Sequence, residues 1–181
     1  GGLVACQNRA FVEDVRRLSN FGISLQDGLT RYAGTNAKFS EYHAAVGLAA
    51  VQRWSESQKL RRRLSMEYSD CLRKTCPSVG LQSRPEDGIY TIMQVALPPG
   101  TNRNAVVDFL HEQGIETRTW YLPSLLEHPV LGQTAGSVGF PVVNALKNRL
   151  LGLPFHLDLD QEKVGEVCKA LKTILDTSRF A

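Results

Sequence analysis

The chain has 181 residues, of which 43% are hydrophobic and 22% are charged, and its formal net charge is +3 at pH 7. This length is sufficient for a sizeable buried core, and the apolar share is ordinary for a globular protein. The small net charge gives no support for a nucleic-acid partner, and the lack of a long apolar run gives none for a membrane partner. Four scattered cysteines without metal-ligand spacing favour reduced thiols, no metal site and a cytoplasmic protein.

The first predicted element is a short buried strand over residues 2–6. Asn8 is a suitable N-cap for a helix whose apolar residues recur every three to four positions, with Gly22 as its stop. Residues 23–39 form a polar loop that is long for a compact domain and is therefore a candidate functional segment. Because the chain starts without methionine, in what reads as a strand of a longer protein, we expect a fragment.

A long helical pattern follows this loop, from Ser40 to about Lys74, and Pro77 enforces its end. Ser40 supplies the N-terminal cap. The pattern is long for a helix of a globular protein, and a break near residues 55–57 is one alternative. A single helix that joins two domains is the simpler interpretation.

After Pro77 the pattern changes to short strands that alternate with helices. The predicted order is β-α-β-loop-α-β-α, which is typical of a small α/β unit of roughly 100 residues. The predicted elements are a strand over 90–97, a helix capped by Thr101 that ends at Gly114, a strand over 115–121, a loop over 122–139, a helix over 142–148, a strand over 150–153 and a last helix capped by Asp160.

Few residues stand out as chemical candidates from their pattern alone, since no glycine-rich phosphate loop, nucleophile elbow or metal signature is present. Asn36 and Lys38 precede a helix and offer amide and ammonium donors that suit a phosphate. Turn chemistry is the simpler explanation for such an asparagine. His128 and His156 lie in loops at strand ends, where ligands often bind, although most loop histidines only face solvent.

Trp120 and Tyr121 end a predicted strand and open the long loop. Either both rings pack in the small core, or they form a platform for a ring-shaped ligand. Their pattern does not distinguish these alternatives.

Four stretches of the sequence, taken in chain order, carry a resemblance to a known enzyme family. They are GGLVACQNRAFVEDVRRLSNFG, GTNAKFSEYHAAVGLAAVQ, GIETRTWYLPSLLEHPVL and LLGLPFHLDLDQEKVGEVCKAL. The second is similar to the pattern G-x-N-x-[RK]-[ML]-[ST]-E-x-x-A-A-x-G-L, and together the four cover nearly the whole chain. In this order they resemble the DegT/DnrJ/EryC1/StrS family of pyridoxal-phosphate-dependent sugar aminotransferases.

The resemblance implies an α/β protein of fold type I, in which a large cofactor-binding domain precedes a small α/β domain. Residues 1–55 are then expected to be the C-terminal tail of the large domain, 56–77 a connecting helix and 78–181 the small domain. The resemblance also implies a homodimer whose loop asparagine contacts the cofactor phosphate of the neighbouring subunit. Asn36 matches that asparagine, and Lys38 matches a nearby basic position.

For the intact protein the resemblance implies pyridoxal 5'-phosphate as cofactor and amino transfer to a nucleotide-linked keto-sugar, with glutamate as the expected donor. The substrate-binding candidates at matching loops are Arg118, Tyr121, His128 and His156. The family's cofactor lysine precedes the first glycine pair, so no catalytic residue is assigned here and the chain alone is expected to be inactive. Leu126 occupies the position of a family histidine, and His128 is a candidate to replace it.

Two alternatives to this function stay open. Some relatives of this fold are sugar dehydratases that replace the cofactor lysine with histidine. Otherwise the chain is a non-catalytic fragment that dimerises, or binds a partner, through the helix face at Ala44 and Ala45. A large exposed apolar patch would indicate a missing partner polypeptide, such as the upstream half of the same protein.

Overall fold

A computed structural model of the chain describes residues 2–83, 88–120, 122–132 and 140–177. The chain divides into two compact units, Gly1–Trp54 and Ser55–Ala181. Within the described ranges, no helix combines the length and the apolar content that a membrane span requires. The assignment of the units to a large-domain tail, a connecting helix and a small domain stays a prediction.

The first unit contains two helices, and both begin at the predicted caps. Helix α1 spans Arg9–Leu18, and the Asn8 side chain accepts a hydrogen bond from the Phe11 backbone N–H at 3.3 Å. Helix α2 spans Glu41–Gln52, and the Ser40 hydroxyl accepts from the His43 backbone N–H at 3.3 Å. Each cap satisfies a backbone donor that lacks a partner inside its helix. Neither helix has a buried residue.

Two predictions for this part of the chain are wrong. Residues 2–6 are not a strand, because no described strand pairs with them, and Leu3 is 83% exposed. The single long helix is also wrong, since α2 ends at Gln52 and a second helix, α3, spans Trp54–Thr75. Arg53 separates them with φ −90° and ψ 1°, outside the helical range. Neither glycine nor proline lies at this break, so the sequence contains no helix-breaking residue that would predict it.

The second unit is built from a three-stranded antiparallel sheet and helices. Strand order is β1-β2-β3, with Val95 of β2 opposite Leu151 of β3. The elements that follow α3 are β1 Gly80–Leu81, β2 Met93–Ala96, α4 Arg103–Glu112, a 3-10 helix Leu125–Glu127, α5 Pro129–Gly132, α6 Pro141–Leu146, β3 Leu150–Leu153 and α7 Gln161–Thr177.

One face of this sheet packs against α3, α4 and α7 to form the core. Burial alternates along β2, where Met93 and Val95 are buried while Gln94 and Ala96 are only half-buried, as expected for a sheet with one covered face. The helices contribute residues three or four positions apart, which form a single apolar stripe on each helix. The buried apolar residues of these helices are Leu64, Tyr68, Leu72, Val106, Leu110, Val164, Val167, Cys168, Leu171 and Leu175.

The structure corrects three further boundaries. The predicted strand over 115–121 reduces to a single antiparallel bridge between Arg118 and Gly152, because no other described residue of that segment pairs with the sheet. Helix α4 is capped by Asn102 rather than Thr101, since the Asn102 side chain accepts from the N–H groups of Asn104 and Ala105. It ends at Glu112 rather than at Gly114.

Three of the four cysteines belong to this core. The Cys76 thiol donates to the Cys168 carbonyl oxygen over 3.6 Å, and Cys71 packs against the same cluster. Burial raises the pKa of the Cys76 and Cys168 thiols, which keeps both protonated and unreactive. Within the described ranges, no group of three His, Cys, Asp or Glu side chains could hold a metal ion.

Candidate functional site

The second unit contains a cavity of about 630 Å³ beside β3. Its lining includes the segment that carries Arg118 and Trp120, the loop with His156 and the first turns of α7. Two of the predicted substrate-binding residues, Arg118 and His156, therefore line the same cavity. His128 is not part of its lining, and Tyr121 lies outside the described residues.

The Arg118 backbone is fixed by its bridge to β3. Its N–H donates to the Gly152 carbonyl at 2.9 Å, and the Gly152 N–H donates to the Arg118 carbonyl at 2.6 Å. A Cβ atom on Gly152 would lie 3.1 Å from the Arg118 carbonyl oxygen and 3.6 Å from Ile92 Cγ2. Glycine at this position thus permits the close approach that brings Arg118 to the cavity.

The Arg118 guanidinium is held from its own segment and remains largely exposed. Its Nη2 lies 3.3 Å from Glu116 Oε2, and its Nη1 donates to the Thr117 carbonyl at 3.2 Å. The pair with Glu116 is open to solvent, so water screens it strongly. This arrangement leaves the guanidinium available for an anionic ligand, which would compete with Glu116.

Three residues of the cavity lining are not predicted as site residues from the sequence. Two of them, Lys163 and Glu166, are not among the candidates, and for Trp120 the choice between core packing and ligand contact is left open. Lys163 and Glu166 lie three positions apart on α7 and both line the cavity. Trp120 lines it as well and is 42% exposed, so the ring is not packed in the core. The spacing of Lys163 and Glu166 places them on one helix face, but only the fold shows that this face meets the Arg118 segment.

His156 lies at the mouth of the same cavity. Its Nδ1 is 3.8 Å from Asp158 Oδ2, and both side chains are more than half exposed. Such a pair is charged on both sides only when the imidazole is protonated. His156 can therefore offer an imidazole N–H donor to a ligand in the cavity.

His128 and Leu126 belong to a separate loop that is closed by Glu127. The Ser124 N–H donates to Glu127 Oε2 at 2.8 Å, and the Glu127 N–H donates to the Ser124 carbonyl at 2.8 Å. Lys147 Nζ lies 3.2 Å from Glu127 Oε1. Hydrogen bonds from Ser124 and then from Lys147 lower the pKa of Glu127 from 4.5 to about 2. Leu126 and His128 are both half-buried.

The first unit holds Asn36 and Lys38 in a loop that is fastened to the end of α1. The Thr35 N–H donates to the Leu18 carbonyl at 2.8 Å, and the Ala37 N–H donates to the Ser19 carbonyl at 2.9 Å. These bonds fix the backbone on both sides of Asn36. The Asn36 side chain is exposed and makes no hydrogen bond within the described residues, so its amide is available to a ligand.

Lys38 is held over an aromatic ring in the same loop. Its Nζ lies 5.0 Å from the centroid of the Phe21 ring, within the range of a cation–π contact. Phe21 has φ 59°, a left-handed conformation that is uncommon outside glycine. The contact limits the motion of the ammonium group and leaves its charge exposed beside the Asn36 segment.

The outer part of this loop is closed by an ion pair. Arg31 Nη2 contacts Asp27 Oδ2, and the Leu29 N–H donates to Asp27 Oδ1 at 3.1 Å. The hydrogen bond from Arg31 holds the pKa of Asp27 well below its usual range. Asp27 therefore stays ionised and keeps the turn closed at neutral pH.

Comparison with known proteins identifies the chain. A transaminase from Escherichia coli that is named for dTDP-4-amino-4,6-dideoxy-D-glucose is 28% identical over 178 residues, which cover 94% of this chain and 47% of the relative. GDP-perosamine synthase from Caulobacter vibrioides is 27% identical, with 97% of this chain and 48% of the relative covered. The chain thus spans about half the length of these curated relatives.

A solved structure shows the same fold. The crystal structure of DesI in the presence of its TDP-sugar product aligns with a TM-score of 0.78 and 27% identity, over 92% of this chain and 43% of that one. The predicted fold class is confirmed, since the chain is α/β and its structural neighbours are aminotransferases of fold type I. The sequence profile of the DegT/DnrJ/EryC1/StrS aminotransferase family matches residues 1–172, and the chain belongs to this family.

Proposed function

We propose that the chain is the C-terminal part of a pyridoxal-phosphate-dependent aminotransferase that acts on a nucleotide-linked keto-sugar in the cytoplasm, with glutamate as amino donor. The names of its relatives support a sugar transaminase, and their length supports a partial chain. We also propose that the chain alone is inactive, because the cofactor lysine expected from the family precedes its first residues. The observation that carries the proposal is the fastened loop with its available Asn36 amide.

The donors of this loop fit the phosphate group of the cofactor. Asn36 contributes an amide N–H from a fixed backbone, and Lys38 contributes a positive charge, which together suit a phosphate dianion. When bound, pyridoxal phosphate supplies the electron-accepting ring that amino transfer requires. In the proposed homodimer, Asn36 donates to a phosphate oxygen of the cofactor in the neighbouring subunit, and Lys38 lowers the electrostatic cost of the phosphate charge.

Substrate contacts are proposed for the loops of the second unit. The Arg118 guanidinium suits a phosphate of the sugar nucleotide, since its planar donors can bind two phosphate oxygens at once. His156 and His128 are proposed as polar contacts to the same substrate, and Tyr121 is retained as a fourth candidate. His128 would replace the family histidine whose position Leu126 occupies.

Exposed apolar side chains of the first unit support a partner polypeptide. Leu25 is 87% exposed, Tyr42 77% and Val51 63%, and neither α1 nor α2 contains a buried residue. Apolar side chains exposed on this scale indicate a surface that another chain covers. We propose a second subunit and the upstream half of the same protein as the covering partners.

The substitution Asn36→Ala tests this function in the complete dimeric enzyme. Loss of a hydrogen bond to a charged phosphate should raise the dissociation constant for pyridoxal phosphate about tenfold or more. An absorbance titration with the cofactor measures it. Asn104→Ala, at an exposed position of α4, is the matched control and should bind the cofactor normally. Equal affinities of the two variants would contradict the assignment of Asn36.

A further inference from the structure

The loop over residues 122–128, here the substrate loop, is connected by one ion pair to Lys147, which follows α6 and precedes β3. Glu127 closes the loop through its bonds with Ser124, and its second oxygen, Oε1, contacts Lys147 Nζ at 3.2 Å. Glu127 and Lys147 are 20 residues apart, and among the described residues no other ion pair joins this loop to the rest of the unit. The loop therefore depends on Lys147 for its ionic contact with the rest of the unit.

Lys147 is held rigidly from both sides. Arg103 Nη1 of α4 donates to the Lys147 carbonyl at 2.9 Å, and the Lys147 N–H donates to the Val143 carbonyl at 2.8 Å. Two residues later, Arg149 Nε donates to the Leu97 carbonyl at 2.7 Å, and the Leu97 N–H donates to the Arg149 carbonyl at 2.9 Å. Lys147 thus stands on a segment that is bonded to α4 and to the end of β2.

The environment of the pair favours a persistent contact. The Lys147 side chain is only 25% exposed, so its methylene groups are largely covered and its rotamers are restricted. The pKa of Glu127, lowered to about 2, keeps the carboxylate ionised far below neutral pH. The contact is therefore fully present above about pH 4.5 and is lost as the pH falls through about 2.

We propose that Lys147 and Glu127 are a positioning pair that fixes the substrate loop to the segment between α6 and β3 and thereby sets where Leu126 and His128 meet the sugar nucleotide. This inference rests on the proposed function. Neither residue needs to touch the substrate; Lys147 acts through Glu127, and Glu127 acts through the turn that it closes. A displacement of the loop by about 1 Å would be sufficient to weaken substrate binding.

Hydrogen exchange of the loop amides tests the pair directly in the complete enzyme. Glu127→Gln keeps an acceptor for the Ser124 N–H but loses the charge, and Lys147→Met loses the ammonium group. Both should accelerate exchange within residues 122–128 about threefold, while core peptides of α7 stay protected. Lys147→Arg retains the charge and should keep the loop protected. Asp70→Asn removes an exposed ion pair with Arg73 and is the matched control.

Substrate kinetics provide the second readout. Glu127→Gln and Lys147→Met should raise the KM for a dTDP-linked 4-keto-sugar about tenfold while kcat changes less than about twofold. Asp70→Asn should leave both constants unchanged. The positioning role would be overturned if the loop amides of Glu127→Gln and Lys147→Met exchanged no faster than those of Asp70→Asn. It would also be overturned if exchange accelerated equally throughout the unit, or if the KM did not change. If the unmodified enzyme transfers no amino group, the proposed function fails, and loop exchange still decides whether the pair fixes the loop.

Discussion

Gly22 and Gly34 allow the loop before α2 to lie directly on the backbone at the end of α1. A Cβ atom on Gly34 would lie 2.2 Å from the Gly22 nitrogen and 2.6 Å from the Leu18 carbonyl oxygen. Gly22 has φ 74°, and a Cβ there would overlap the Tyr32 carbonyl. Because these neighbours are backbone atoms, they cannot move aside as a flexible side chain would. The placement of Asn36 thus depends on two residues without side chains.

Gly34→Ala should therefore destabilise the loop. We expect the free energy of unfolding to fall by about 2 kcal/mol or more, because the clash is with backbone. Gly47→Ala is the matched control, since a Cβ there meets nothing within 4 Å and alanine favours the helix by up to about 1 kcal/mol. Chemical denaturation measures both changes. A Gly34→Ala variant as stable as the Gly47→Ala variant would be inconsistent with the tight loop.

The residue scale also shows what the sequence can and cannot indicate about a site. Asn36 is a candidate from its segment alone, because a polar loop before a capped helix is a local pattern, and its role stays a prediction. Lys163 cannot be connected to Arg118 in this way, since the two residues are far apart in sequence and only the folded chain places both around one cavity. The sequence does not indicate the Glu127–Lys147 pair either, because its two residues are 20 positions apart.

At the scale of elements, local chemistry predicts helix starts better than strands. Asn8, Ser40 and Asp160 cap helices as predicted, because capping depends on residues within one turn. Strand β1 was missed, since two residues show no periodicity and become a strand only through pairing with β2. The strand over 115–121 was predicted because Ile115, Thr117 and Thr119 alternate with charged or polar residues. This alternation is misleading, because it describes exposure and does not require a partner strand.

The cap of α4 gives a direct test at this scale. Asn102→Ala should lower the free energy of unfolding by about 1 kcal/mol, since its side chain accepts from two backbone N–H groups. Thr101→Ala, one residue earlier, should change it by less than about 0.5 kcal/mol. Thermal unfolding of the two variants makes the comparison. A larger loss of unfolding free energy for Thr101→Ala than for Asn102→Ala would contradict the Asn102 cap and support the Thr101 cap that the sequence predicts.

At the scale of the whole molecule, the two units differ in how they bury apolar surface. The second unit has a core in which Tyr68, Met93, Leu110 and Leu171 are completely buried. In the first unit the only buried residues among those described are Gly22 and Ser24. This difference agrees with the proposal that another polypeptide packs against the first unit. In that proposal the same polypeptide also completes the cofactor site.

Subunit complementation tests the central claim, that Asn36 serves the cofactor of the neighbouring subunit. Asn36→Ala dimers are mixed with dimers in which the upstream cofactor lysine is replaced, and the subunits are exchanged. Amino transfer to a dTDP-linked 4-keto-sugar is then measured at a pyridoxal phosphate concentration that leaves most Asn36→Ala sites empty. If Asn36 acts across the dimer, each hybrid contains one site with both the lysine and the asparagine, so activity should rise well above that of either variant alone. Activity that stays at the level of the separate variants would contradict the claim.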